Sequence, residues 1–394
     1  MTSNITQRKG IPFWRDERVL QWITQALVLG VVIAVILYLY GNMVASLEAL
    51  GLPLSLEFLS LQSGFDISQH LIAYSRTSTY LQALSVGFLN TLLVAVLGII
   101  GATVLGVVIG VASLSSNILV NRLARIYTEI FRNIPLLVFL IFWYRGFFLK
   151  LPSVQDASEF GPILLSNRGV AIPWGIAGLT FPAYRLILLA GFILAVVSAL
   201  FLRQRGQRTG RMPFSTLGGL AVFLGVALLG WVLLPAAPLT IDLPALPETG
   251  FNILGGKNLT SEFIAVLSGL VLYTAAFIGE VVRAGIQAVS KGQTEAARAL
   301  GFTGFQTLRL ILLPQALRVM IPPLTSQFLN LTKNSSLAVA VGYPDLVQVY
   351  GTIINQSGRA VEMTAIMMSV YLSMSLLTSG FMNWYNRRVK LEER

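Results

Sequence analysis

The sequence predicts an all-α fold, a polytopic membrane bundle of about eight transmembrane helices. Two observations carry that prediction. The chain is 55% hydrophobic and only 11% charged, with a mean hydropathy of +0.73, whereas soluble domains carry about 25% charged residues. So few charges cannot cover a globular surface, so lipid must be the outer solvent. Moreover, eight apolar stretches are long enough to cross a hydrocarbon core of ~30 Å, which takes about 20 residues per helix.

The stretches fall at about 20–44, 82–114, 130–149, 183–202, 213–234, 261–284, 315–342 and 360–385. The first follows Arg15 and Arg18 and runs from Val19 to Val44 without a clear small-residue cleavage site, so it reads as a retained helix rather than a removable leader. The second contains the unbroken LQALSVGFLNTLLVAVLGII, the third IPLLVFLIFWY and the fourth RLILLAGFILAVVSALFL.

The basic residues orient these spans. Placing both termini in the cytoplasm puts Arg8, Lys9, Arg15, Arg18, Arg122, Arg125, Arg132, Arg203, Arg205, Arg208 and Arg211 inside. Arg283, Lys291, Arg298, Arg309, Arg318, Arg387, Arg388, Lys390 and Arg394 join them, making 20 of the 28 Lys and Arg. The opposite orientation contradicts the positive-inside rule. The net charge of +11 is therefore read as membrane topology; no nucleic-acid partner is expected. The outer loops lean acidic, through Glu48, Glu57, Asp66, Asp156, Glu159, Asp242, Glu248 and Glu262. They are expected to be surface connections without a second folded domain. With no cysteine and a single histidine, His70, there is no disulfide framework, no thiolate or His-pair metal site and no Cys nucleophile.

One inner segment, residues 284–323, departs from an ordinary loop. From Thr294 to Leu300 it reads as a short helix, with Thr294 as N-cap and Glu295 at the positive end of the helix dipole. Ala296, Ala297 and Ala299 favour helix and are small, and Gly301 stands where a left-handed residue would end it. A second helix over about 304–313 leads to Pro314. An Ala-faced, sharply capped helix between two spans can dock in a groove, presenting Ala296 and Ala297 with Glu295 and Arg298 at the rim. Composition alone equally allows an amphipathic helix resting on lipid headgroups.

The spacing of this segment resembles the EAA loop of ABC importer permeases: Glu-Ala-Ala, three residues, Gly, nine residues, Ile, one residue, Leu-Pro. Here these are Glu295, Ala296, Ala297, Gly301, Ile311, Leu313 and Pro314. The flanking GEVVRAGIQAVSKGQTEAARALG, LPQALRVMIPPLTSQFLNLTKNSSLA and YTEIFRNIPLLVFLIFWY resemble the polar amino-acid uptake branch. The resemblance covers about 80–149 and 261–386, which together look like the family's five-helix core with the type I importer fold. The first span and the two within 150–260 are additions, a layout similar to permeases of general L-amino-acid transport systems. The domains are thus expected at 1–80 (tail, first helix, outer loop), 81–386 (permease domain with the added helices) and 387–394 (cytoplasmic tail).

The resemblance implies a multi-pass subunit of a bacterial inner membrane, not an enzyme, translocating L-amino acids of broad range inward. It implies partners: a dimer of cytoplasmic ATPase subunits gripping the EAA helices, a second permease subunit (copy or paralogue) and a periplasmic amino-acid-binding protein. ATP and Mg would belong to the ATPase. This chain has no Gly-x-x-x-x-Gly-Lys-Ser/Thr loop and needs no cofactor of its own. Contacts to the ATPase are expected from Glu295, Ala296, Ala297, Arg298, Gly301, Ile311, Leu313 and Pro314.

Candidate substrate-path residues are Asn90, Thr91, Glu280, Asn330, Lys333, Asn334 and Ser335. Lys333-Asn334-Ser335-Ser336 interrupts the seventh span, and a charge at that depth, costing ~2.5–3.5 kcal/mol on insertion scales, faces protein or water. The alternative is that Lys333 snorkels to the headgroups or packs against a carboxylate. Asn90-Thr91 can equally serve interhelical hydrogen bonding, and Glu280 with Arg283 an i, i+3 ion pair. Tyr127, Glu129, Arg132 and Pro135 read as an interfacial elbow, and His70 as a solvated loop residue. A secondary transporter or channel would leave the EAA segment unexplained. A membrane enzyme would need an intramembrane His, Asp or Ser constellation.

Overall fold

The computed structural model describes residues 17–51, 53–209, 214–246 and 252–389. Arg8, Lys9, Arg15, Arg211, Glu248, Gly250, Lys390 and Arg394, the side chain of Arg18 and both termini lie outside the described residues.

Helix α1 (Glu17–Ala49) is apolar on every side and leaves Trp22, Leu37 and Tyr38 exposed, as a helix surrounded by lipid would. An outer loop follows, with a 3-10 turn at Glu57–Ser60. Its Phe58 and Ile67 are buried in a cluster with Tyr80, Leu346, Val349 and Met363. Helix α2 (Tyr80–Ala112) starts on a capping box: the Thr79 hydroxyl accepts from the Gln82 amide at 3.2 Å and the Gln82 side chain accepts from the Thr79 amide at 3.1 Å. It lies close along α7 (Ser261–Gln287) because glycines line the seam. A Cβ on Gly106 would stand 2.6 Å from Ile278 Cγ2, and one on Gly110 2.6 Å from the Gly279 carbonyl. Small residues at such seams let van der Waals contact, rather than water exclusion, hold helices together.

The third apolar stretch is not one straight helix. Helix α3 (Ile118–Asn133) and the helical run from Leu136 to Lys150 are bent by 103° at the break. That run is α4 (Leu136–Phe142) followed by tighter and wider turns to Lys150. Pro135 explains the break, since its ring pushes the preceding Ile134 to an extended ψ of 131°. Seven described helices are long and apolar enough to cross a membrane, or eight if this bent pair is one span.

The region beyond α4 carries strands that the sequence reading did not anticipate. It folds into two small antiparallel sheets. One has the order β1 (Ser158–Phe160), β2 (Ile163–Ser166), β3 (Gly169–Ile172), β6 (Lys257–Thr260). The other pairs β4 (Trp174–Ala177) with β5 (Leu239–Asp242). Between them α5 (Phe181–Thr209) and α6 (Ser215–Leu233) form a hairpin packed chiefly on itself. After α7 come α8 (Lys291–Ala299), α9 (Gly304–Thr307), α10 (Leu313–Asn334), α11 (Leu346–Ser357) and α12 (Ala360–Val389).

Three further corrections concern this last third. α8 starts at Lys291 after Ser290, so Thr294 is inside it and Glu295 is past its first turn. The second helix does not stop before Pro314: α9 runs through a π-helical turn, Leu308–Leu312, into α10. The wider turn accommodates a proline that lacks an N–H and crowds the carbonyl four residues back. The seventh stretch changes at Ser335 to a 3-10 turn through Val341, and α11, which the sequence reading missed, precedes α12.

Candidate functional site

Helix α8 closes with a pair of bonds that sequence reasoning anticipated only at Gly301. The Phe302 amide donates to the Ala297 carbonyl at 3.1 Å and the Gly301 amide to the Arg298 carbonyl at 2.9 Å. This is the Schellman arrangement, and it requires the φ of +79° that Gly301 adopts. The ring of expected docking residues divides by direction. Glu295, Ala296 and Arg298 are exposed, whereas Ala297 is 1% exposed and turned into the chain, so it anchors α8 rather than facing outward. Leu300 and Phe305, which the sequence reading did not single out, are 76% and 69% exposed beside it. Ile311 and Pro314 are half-buried and Leu313 is exposed. These three support the π turn and the start of α10.

The path candidates also separate. Asn90 and Thr91 are fully buried. The Asn90 amide donates to the Gln69 carbonyl at 2.7 Å and the Pro344 carbonyl at 2.9 Å. The Thr91 hydroxyl accepts from the Leu346 amide at 2.9 Å. Ser335 is buried, its hydroxyl donating to the Thr332 carbonyl at 2.7 Å. Asn90 and Thr91 tie α2 to the outer loop and the start of α11, and Ser335 closes the last turn of α10; these bonds are made without a substrate. Glu280 pairs with Arg283, whose Nε donates to its carboxylate at 3.0 Å and whose terminal nitrogen makes a second bond. Lys333 is exposed and Ser336 turns back to its carbonyl.

Asn330 and Asn334, by contrast, line one cavity. With Gln327 they form a polar stripe on α10 facing Tyr273, Thr274 and Phe277 of α7, around a cavity of about 250 Å³. Tyr273 to Phe277 lie near the midpoint of α7. Three amides offer donors and acceptors together, without a net charge that would trap a ligand. Gln327 and Asn334 stand three residues before and four after Asn330, one face of a helix. That spacing was the available signal for Gln327. Tyr273 and Phe277, with ring centroids 5.1 Å apart, were not singled out in the sequence. Among the described residues no group of His, Cys, Asp or Glu could hold a metal ion.

Residues 102–391 match the family described as binding-protein-dependent transport system inner membrane component. The chain is 45% identical over 388 residues to the putative amino-acid ABC transporter permease protein YhdX of Escherichia coli, covering 98% of each. It is 44% identical over 372 residues to the general L-amino acid transport system permease protein AapQ of Rhizobium johnstonii, covering 94% of this chain and 92% of AapQ. A solved structure of an amino acid ABC transporter with histidines is similar over 78% of this chain and 95% of its own, at TM-score 0.47 and 21% identity. The family match spans well over half of the chain and the relatives nearly all of it, so the chain belongs to the inner membrane components of binding-protein-dependent transport systems, the permease subunits of ABC importers.

Proposed function

We propose that this permease carries L-amino acids of broad range into the cytoplasm, through the amide-lined cavity between α7 and α10. The observation that carries the reading is the combination on one helix pair: a mid-helix cavity lined by Gln327, Asn330 and Asn334, and a Schellman-capped α8 immediately after α7. Amides can accept from an ammonium and donate to a carboxylate, so they serve any amino acid while leaving the side chain unspecified. A site near the bilayer midplane reached from either side suits alternating access. The names of the relatives point to the same cargo.

In this reading α8 faces the cytoplasm, as do both termini, in a bacterial inner membrane. Cytoplasmic ATPase subunits hold ATP and Mg and grip the outward face of α8, with Leu300 and Phe305 beside it. A second permease subunit, copy or paralogue, completes the path. A periplasmic amino-acid-binding protein delivers cargo to the face that carries the small sheets. When the ATPases close, α8 moves with them, and the direct link through the π turn passes that motion to α10.

The test is uptake of labelled amino acids into liposomes holding the full complex with its binding protein. ATP-dependent accumulation of several amino acids supports the proposal. Absence of uptake for every amino acid tested, with ATP hydrolysis intact, overturns it.

A further inference from the structure

A second cavity, of about 270 Å³, opens toward the α8 end of the bundle, between the end of α2, α3 and α7. Arg125, Thr128, Glu129 and Arg132 of α3 face Glu280 and Arg283 of α7 across it. The two cavities share one face of α7: Tyr273, Thr274 and Phe277 border the first, Glu280 and Arg283 the second, at steps of three or four residues. One contact joins their walls. Arg132, in the wall of the second cavity, holds its guanidinium carbon 5.7 Å from the centroid of the Phe277 ring, in the wall of the first.

The charges in the second cavity are only partly used. Glu280 and Arg283 satisfy one another, and Arg283 also donates to Gln287 at 2.6 Å. None of the ion pairs found among the described residues includes Arg125, Glu129 or Arg132. These three side chains are exposed and stand on α3 at spacings of four and three, alternating guanidinium, carboxylate, guanidinium. A guanidinium binds a carboxylate by paired charge-assisted bonds, and a carboxylate binds an ammonium. The stripe therefore matches a small zwitterion, which engages Glu129 as well as the guanidiniums, whereas a phosphate anion, free or on a lipid, would leave Glu129 unpaired.

We propose that this cleft is a second amino-acid site, filled from the α8 side, which slows transport when the internal pool is high. The proposal rests on the amino-acid reading above and on α8 facing the cytoplasm. An amino acid seated between Arg125, Glu129 and Arg132 would hold the guanidinium that contacts Phe277 and so would stiffen the wall that the two cavities share on the α8 side.

The experiment uses the complete transporter in liposomes, with the ATP-containing side preloaded with L-glutamine, L-glutamate or L-arginine at millimolar concentration, or with inorganic phosphate. Each protein is compared with its own unloaded vesicles. In the native complex at least one internal amino acid lowers the initial uptake rate several-fold and phosphate does not. In R125Q/E129Q the ratio of loaded to unloaded rate returns toward one, and in R125K, which keeps the charge but not the fork, it is intermediate. Equal rates in loaded and unloaded native vesicles overturn the proposal, as does undiminished slowing in R125Q/E129Q. Equal slowing by phosphate overturns it in favour of a simple anion site. Unloaded native vesicles that take up no amino acid overturn the functional reading instead, which keeps the two failures apart.

Discussion

The Phe302 amide reaches back 3.1 Å to the Ala297 carbonyl, across a glycine held at φ +79°. A β-branched residue at position 301 would be forced into the left-handed region, at a cost of about 1–2 kcal/mol. A Cβ there meets nothing within 4 Å, so the penalty is conformational and local. Gly301→Val is expected to insert into the membrane and assemble with the second permease normally. Uptake should fall at least tenfold, with the ATPase subunit bound weakly or hydrolysing ATP uncoupled from transport. Parallel assays of uptake and ATPase rate on the purified complex check this; normal uptake would remove α8 from the coupling path.

The inward turn of Ala297 makes a sharper contrast than any mutation of the outer face alone. Ala297→Leu overpacks a site that is 1% exposed, and such insertions cost about 1–3 kcal/mol. It is expected to loosen α8 from its own chain and reduce coupling. Ala296→Ser, on the exposed side, changes little volume and is expected to keep uptake within twofold. Leu300→Glu should weaken ATPase binding without altering thermal stability of the permease, measured by melting in detergent. If Ala296→Ser proves as damaging as Ala297→Leu, the division of the helix into an anchor and a docking face is wrong.

Much of this layout was legible because the strongest signals are one-dimensional. Apolar length marked the helices, and Gly301 marked the end of α8. What escaped depends on contacts distant in sequence. The strands β3 and β6 pair residues such as Gly169 and Thr260, whose partners cannot be read from local composition. The start of α8 was misplaced because Thr294 is a good cap in isolation, yet Ser290 initiates the helix without a side-chain cap bond. Asn90 and Asn330 look alike in sequence, each a polar residue in an apolar run. Only tertiary structure sends one to the Pro344 carbonyl and the other to a cavity.

That difference predicts two phenotypes. Asn90→Ala leaves the buried carbonyl of Pro344 and the part-buried carbonyl of Gln69 without their side-chain donor. Each unsatisfied buried group costs about 1–3 kcal/mol, so the variant should melt earlier and transport every substrate less, in proportion to the folded protein. Asn330→Ala, at an exposed cavity wall, should melt like the native protein but change KM unequally among amino acids. Competition assays against one labelled substrate would show this. Uniform loss in both variants would return Asn330 to a packing role.

The bent pair decides the parity of the topology. From Leu136 to Lys150 the helical run is 15 residues, about 22 Å at 1.5 Å per residue, short of the ~30 Å hydrocarbon core. If it nevertheless crosses, aided by Arg145 and Lys150 reaching the headgroups, the small sheets lie on the side opposite α8. If it is re-entrant, α2 would end on the side of the sheets, opposite α8, whereas Gly101 stands against Val271, Gly106 against Ile278 and Gly110 against Val282, so α2 runs parallel to α7 and ends where α8 begins. Crossing agrees with the charges: Arg122, Arg125 and Arg132 on α3 then fall on the same side as Arg203, Arg205 and Arg208 at the far end of α5, as the positive-inside rule requires. A single cysteine introduced at Asn167, in the β2–β3 turn, is therefore expected to react with a membrane-impermeant thiol reagent added outside intact cells. One at Gln207 should react only after permeabilisation. The native chain has no cysteine, so the labelling background is clean. Labelling of Gln207 from outside, with Asn167 reached only after permeabilisation, would mean that, with the amino terminus inside, Leu136–Lys150 does not span, leaving seven crossings and one terminus on each side.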